Sequence, residues 1–145
     1  MIRRYGESVK TGQHYRHRAG VYAVLLRGDS ILTTFQLDPT PEFQLPGGGI
    51  DKGEQPIAAL HREVFEETGW KIDVTRRIGA FRRFTFMPEY DLWAEKVCTL
   101  YLARPIRRLG PPREAGHSAI WLPVDEAKVR LGSPGDRAML TLLIR

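Results

Sequence analysis

Residues 48–70 read GGIDKGEQPIAALHREVFEETGW, a glycine-rich loop running into a segment with helical spacing. Proline is tolerated in a first helical turn, and Ile57, Leu60 and Val64 recur at helical intervals after Pro56. A helix is therefore predicted from about Pro56, with Gly69 as its natural stop. At about 100° per residue, Glu63, Glu66 and Glu67 fall within an arc of roughly 100°. Three carboxylates share one face, whereas Ile57, Val64 and Phe65 point broadly the other way with Leu60 at the margin. Like charges at this spacing repel by a few tenths of a kcal/mol per pair, so a compensating cation is expected. Hard divalent ions, which take oxygen ligands, suit that place. A solvated acidic helix face has the same composition, so the neighbouring residues decide between the two. Arg62 can pair with Glu66 or reach Glu54 in the entering loop, and the glycines at 47–49 let backbone approach a phosphate or ion closely.

Outward from this segment, residues 19–27 (AGVYAVLLR) and 30–36 (SILTTFQ) are β-prone and flank Gly28-Asp29, which predicts a hairpin. Residues 37–43 carry Asp38, Pro39 and Pro41 and are expected to loop. After the helix come short β-prone runs at 72–74 and 78–86, a loop at 87–91 and a long alternating run at 92–103. Residues 105–113, rich in proline and arginine, read as a surface loop, and 119–122 as a last short strand. Two helices are expected near 124–131 and from Ser133-Pro134 to Ile144, with Ser133 as N-cap. The first eighteen residues show no sustained periodicity and read as an arm or an edge strand. This order predicts an α/β (α+β) sandwich with a central mixed β-sheet.

The chain has 145 residues, 42% of them hydrophobic, which suits one domain over 1–145 with a sizeable core. No apolar run reaches the roughly 18 residues of a spanning helix, so the expectation is a soluble, cytoplasmic protein without a membrane partner. The lone Cys98 excludes an internal disulfide and a cysteine metal cage within the chain. It reads as a strand residue packed as a small hydrophobe. A net charge of +5 and a pI near 9.7 favour anionic partners, although a solvated basic surface gives the same balance.

The segment at 48–70 resembles the Nudix box: Gly, five variable residues, Glu, seven variable, Arg-Glu, an aliphatic, one variable, Glu-Glu, one variable, Gly and an aliphatic. Every position matches except the last, where Trp70 replaces the usual Ile, Leu or Val. At ordinary residue usage such a match arises on the order of once in 10⁹ start positions. The resemblance implies a Nudix fold and a hydrolase that cuts a diphosphate linkage in a nucleotide or nucleotide derivative. It implies Glu63, Glu66 and Glu67 as metal-binding acids for Mg²⁺ (Mn²⁺ as substitute), with Glu63 also a general-base candidate. Arg62 would orient the acids through Glu54, and a backbone carbonyl at Gly47 or Gly48 would complete the metal shell. Glu95 and Glu114 are candidates for an extra acid outside the box. Family members are often dimers, which makes a homodimer an expectation.

Arg82, Arg83 and Phe84, with Phe86, Tyr90 and Trp93, mix cations and aromatics suited to holding phosphates and a base, or else they are alternating core residues. His61 in the helix and His117 in a loop read as structural or solvent-facing histidines. Two alternatives accompany the main reading. One is an RNA 5′-end pyrophosphohydrolase, motivated by the basic balance and the arginines at 82–83 and 104–113. The other is a non-catalytic nucleotide-binding regulatory module.

Overall fold

The computed structural model describes residues 2–144. Its elements run β1 (Arg3–Arg4), β2 (Arg16–Arg27), β3 (Ser30–Gln36), β4 (Glu42–Gln44), β5 (Gly47–Gly49), α1 (Pro56–Thr68), β6 (Trp70–Met87), β7 (Leu92–Arg108), β8 (His117–Pro123), α2 (Val124–Arg130) and α3 (Pro134–Leu143). A single 3₁₀ turn, Pro88–Tyr90, joins β6 to β7. The strands form a mixed sheet ordered β1-β6-β7-β2-β3-β4, with β5 paired to β2 and β8 to β3. β2–β7 and β1–β6 are parallel, and the remaining pairs are antiparallel.

The sheet is covered on both sides, and β2 shows why its sequence is apolar without a break. Val21, Ala23 and Leu25 pack with Ala59, Leu60 and Val64 of α1. Val24, one step out of phase, packs with Leu100, Phe81, Ala127 of α2 and Leu140 of α3. A strand buried on both faces cannot alternate apolar with polar. On α1 the buried apolar set is Ala59, Leu60 and Val64, with Leu60 fully covered, whereas Ile57 is 40% exposed. The helix is thus rotated from its expected aspect: Leu60 lies at the centre of the buried stripe and Ile57 at its edge. Burying a Leu or Val side chain contributes about 1.5–3 kcal/mol, so these residues fix the helix azimuth.

Several boundaries differ from the sequence expectation, each for a tertiary reason. β2 starts at Arg16, within the supposed arm, because it runs parallel to β7 from Arg16↔Ala94 to Leu25↔Ala103. β1 is the edge strand and pairs with Phe81 and Arg82 of β6. The β2–β3 hairpin holds only two registered pairs; beyond them β3 pairs along its length with β8, and Gly47–Gly49 takes up β2 as strand β5. Glu42 and Phe43, expected to loop, instead form β4 with Gln44 and add it to β3. The two short runs after α1 are one strand, β6, whose register shifts near Val74 and Arg77 mark the bulges that broke its apparent pattern. Pro105 belongs to β7, opposite Ile72, rather than to a surface loop. β2 has already left β7 at Ala103, so the missing N–H of Pro105 interrupts no ladder on that side. The second helix pair starts where expected, and Ser133 caps α3 by accepting from the Asp136 N–H at 3.4 Å. No helix among the described residues is long and apolar enough to cross a membrane.

Asp136, buried in the first turn of α3, gives a direct test of the packing on that side. Burial pushes its carboxyl up to about 7 from the usual carboxylate range, despite nearby Lys96 and Arg83. The folded chain holds a proton that the unfolded chain releases, so the stability linked to this group is present at low pH and is lost as pH rises through about 7. At pH 8 the buried carboxylate costs on the order of 4 kcal/mol before relaxation. Asp136→Asn is therefore expected to raise the melting temperature by several degrees at pH 8 and to change it little at about pH 4, near the unfolded value. A gain of equal size at both pH values would place the carboxyl in a solvated setting instead.

Candidate functional site

The acidic cluster is held at the junction of α1, β5 and the start of β8. Pro56 opens α1, and Gly69 ends it in the left-handed conformation at φ 76°, its N–H donating to the Phe65 carbonyl at 2.8 Å. Only glycine fits there for a second reason: a Cβ on Gly69 would overlap the carbonyl oxygen of Gly110. The loop after β7 is laced onto this last turn. Leu109 N–H donates to the Gly69 carbonyl at 2.8 Å, and the N–H groups of Arg113 and Glu114 both donate to the Glu66 carbonyl at 2.8 and 3.0 Å. Those bonds bring Glu114 and His117 to the helix.

Arg62 organises the entering loop. Its guanidinium donates to both oxygens of Glu54 at 2.7 and 2.9 Å, to Glu63 at 3.0 Å, to Glu66 at 3.3 Å and to the Gly49 carbonyl at 3.3 Å. The two sequence alternatives for Arg62 are thus realised together. Glu54 also accepts from the Asp51 N–H at 3.0 Å. The Arg62 guanidinium beside it holds the Glu54 carboxyl down at about 2. The same partner raises the Arg62 pKa above its ordinary value, so this pair stays ionised throughout the working range.

Glu67 is only 3% exposed, and both of its oxygens are engaged. Oε1 accepts from the Gly47 N–H at 2.7 Å, and Oε2 lies 3.1 Å from His117 Nδ1. The His117 contact is short but poorly angled for a hydrogen bond, so it acts chiefly as a charge contact. Burial raises the Glu67 pKa, opposed by His117 and the Gly47 N–H. Glu67 in turn raises that of His117. Glu63 packs against Gly48 so closely that a Cβ there would come within 2.6 Å of its carboxylate. Burial, then repulsion from Glu67, pushes Glu63 up to about 7.

Carboxylate oxygens of Glu63, Glu66 and Glu114 lie within 4.8 Å of one another, as do ligand atoms of Glu67, Glu114 and His117. The carboxylates of Glu63, Glu66 and Glu114, closed on their near side by the glycine backbone, form an oxygen donor set that fits a hard divalent cation.

Of the extra acids expected from sequence, the structure brings Glu114 to the cluster. Glu95 lies on β7, paired with Arg82 at 3.5 Å, and joins no metal-holding group among the described residues. His117 departs from its sequence reading. It stands on β8, not in a loop, and its ring faces Glu67. Its only sequence signal is its position just ahead of a β-prone run, which does not reveal what the strand packs against.

The substrate-contact candidates separate by strand alternation. Arg83 borders a small cavity of about 60 Å³ with Tyr22, Lys96 and Asp136, next to the glycine strand through the Tyr22↔Gly47 pair. Arg82 and Phe84 lie on the other face, where Phe84 meets Tyr15 edge-on at 4.9 Å and Tyr15 meets Trp93 at 6.1 Å. Those aromatics pack on one another. Cys98 is buried, and burial pushes its thiol up to about 12, as expected of an inert packed residue.

A family model, that of the NUDIX domain, matches residues 16–143. The chain belongs to the NUDIX family. Among curated relatives, it is 31% identical over 105 residues to an 8-oxo-(d)GTP phosphatase of Mycolicibacterium smegmatis, a stretch covering 72% of this chain and 30% of that one. It is 38% identical over 61 residues to an RNA pyrophosphohydrolase of Helicobacter pylori, covering 39% of each. The first relatives it matches are thus spanned over half of their length or less. Among solved structures, a NUDIX hydrolase from Nitrosomonas europaea superposes with a TM-score of 0.73 at 19% identity, covering 87% of both chains. A MutT NUDIX hydrolase from Burkholderia pseudomallei gives 0.68 at 22% identity, over 87% of this chain and 97% of that one. These likenesses establish the NUDIX fold.

Proposed function

We propose that this NUDIX protein hydrolyses a diphosphate linkage in a nucleotide or nucleotide derivative, with magnesium as its ion and manganese as a substitute. The observation that carries this reading is the gathering of Glu63, Glu66, Glu67 and Glu114 around the glycine strand, locked by Arg62. Glu63, Glu66 and Glu67, with Glu114 at the mouth, would hold the ion. When bound, it supplies charge neutralisation on the phosphate oxygens and a lowered pKa for water.

The chain's own residues divide the remaining work. Glu67, with both oxygens engaged, is a fixed ligand rather than a proton acceptor. Glu63, held by Arg62 against the glycine backbone, takes the proton of the attacking water as an oxygen–phosphorus bond forms and the bridging P–O bond breaks. Arg62 positions Glu63 and Glu66 and keeps Glu54 and the loop in place. Arg83, beside the cavity next to β5, is the candidate that reaches substrate from the sheet side.

The test is hydrolysis of nucleoside triphosphates, nucleotide sugars, dinucleoside polyphosphates, ADP-ribose and triphosphorylated RNA, with and without magnesium. Magnesium-dependent cleavage of one class is expected; none across the panel overturns the reading. RNA 5′ ends are the second reading, favoured by the net positive charge and by the likeness to an RNA pyrophosphohydrolase. Release of pyrophosphate from triphosphorylated RNA but not from free nucleotides separates the two.

His117 provides a further check, because partners that orient metal ligands typically contribute 10–100-fold in affinity. His117→Ala is expected to weaken magnesium binding about 10–100-fold in a calorimetric titration. Unchanged binding would confine His117 to a structural role.

A further inference from the structure

On the α1 side of the sheet, beyond His117, lies a cavity of about 500 Å³. Its walls include Arg27, Leu32, Trp70, Arg108 and Trp121, and no acidic side chain lines it. Trp70 is the residue that departs from the family pattern. Its indole meets that of Trp121 edge to face, with ring centres 5.8 Å apart and planes at 87°. The Arg27 guanidinium lies 3.9 Å from the Trp121 ring centre and 5.6 Å from that of Trp70. Arg108 is the direct cross-strand partner of Trp70, so both side chains stand on the same face. Among the described residues, neither Arg27 nor Arg108 has a carboxylate partner; the ion pairs formed by arginines use Arg62, Arg82, Arg104 and Arg130.

An aliphatic side chain at position 70 would simply extend the core. An indole there, set against a second indole and two unpaired guanidiniums, builds a wall with a flat apolar surface and an uncompensated double positive charge. A ligand matched to it carries an aromatic plane and an anion on one scaffold. The volume accommodates one nucleoside with its phosphate.

We propose that this cavity, which shares His117 with the acidic cluster but none of its carboxylates, is a second binding site for a nucleoside phosphate: base against the Trp70–Trp121 wall, phosphate between Arg27 and Arg108. The same chemistry is offered by a free nucleotide and by one residue of a nucleic-acid strand.

The test reads binding without catalysis. Two of the chain's three tryptophans line the cavity, so a base stacking there quenches intrinsic fluorescence. The full chain in EDTA is titrated with AMP, with a 5′-phosphorylated oligoadenylate, with inorganic phosphate and with adenosine. Saturable quenching by AMP is expected, at least tenfold weaker in Arg27→Gln and in Arg108→Gln. Both positions are exposed, and thermal melts verify that the variants fold. Quenching is expected to persist in Trp93→Phe, which removes the distant indole, and in Glu67→Gln, which separates this site from the catalytic one. An oligoadenylate that binds at least tenfold tighter than AMP, with the same arginine dependence, assigns the site to a strand; equal or weaker binding assigns it to a free nucleotide. The proposal is overturned by absence of quenching with AMP and oligoadenylate alike. It is also overturned by binding insensitive to both arginine changes, by equal binding of phosphate alone, or by loss of binding in Glu67→Gln. No metal or turnover enters the measurement, so its failure is distinct from failure of the hydrolysis reading.

Discussion

Glu67→Gln is expected to reduce magnesium-supported hydrolysis by about 10³-fold or more, equivalent to roughly 4 kcal/mol of barrier, while leaving the fold intact. The amide keeps the shape of the side chain and an acceptor for the Gly47 N–H, so the seat against β5 survives. What disappears is the negative charge, which burial already disfavours. The metal-free variant should therefore melt at the same temperature as the parent at pH 8, or higher. Glu63→Gln should lower the rate comparably, since that carboxyl is the proposed proton acceptor. Rates and thermal melts at pH 6 and 8 check both variants. Parent-like activity in the two of them would remove the site assignment.

Gly69→Ala is expected to have the largest effect on the folded state, at about 3 kcal/mol or more. Positive φ in a non-glycine residue costs roughly 1 kcal/mol or more, and the added methyl overlaps the Gly110 carbonyl oxygen, so backbone must move. The movement would loosen the Leu109–Glu114 hydrogen bonds to the end of α1 and with them the placement of Glu114 and His117. A drop in melting temperature of at least 10 °C with loss of activity is the expected result for a domain of this size. Gly53→Ala, also at positive φ but with open space around its Cβ position, separates the two contributions and should cost about 1 kcal/mol. Equal effects at both glycines would show that the approach of Gly110 contributes nothing.

The sequence carried the acidic site well because its members lie close together in the chain. Glu63, Glu66 and Glu67 sit on one helix whose 3.6-residue period is a local property, and Arg62 and Glu54 are within one loop of them. The β2–β3 corner, the α1 start at Pro56 and the Ser133 cap were legible for the same reason. The azimuth of α1 was not. Ile57 and Leu60 are both apolar, and only packing against β2 decided that Leu60 is covered while Ile57 is left at the rim. Strand lengths failed similarly: β6 is continuous through its bulges, and β7 runs past Pro105, because pairing with a neighbour overrides local composition.

By itself, then, the sequence determined the acidic segment at 48–70, the alternation of strands and helices, and the departure at Trp70. Tertiary structure alone decided what meets that segment. Glu114 and His117 lie some fifty residues from the helix in the chain and arrive through backbone hydrogen bonds from residues 109–114 to the last turn of α1. Trp121 and Arg27 reach Trp70 from two other strands. Such pairings depend on which strands become neighbours, and that is settled by burying apolar surface across the whole sheet, a nonlocal quantity that residue spacing does not encode.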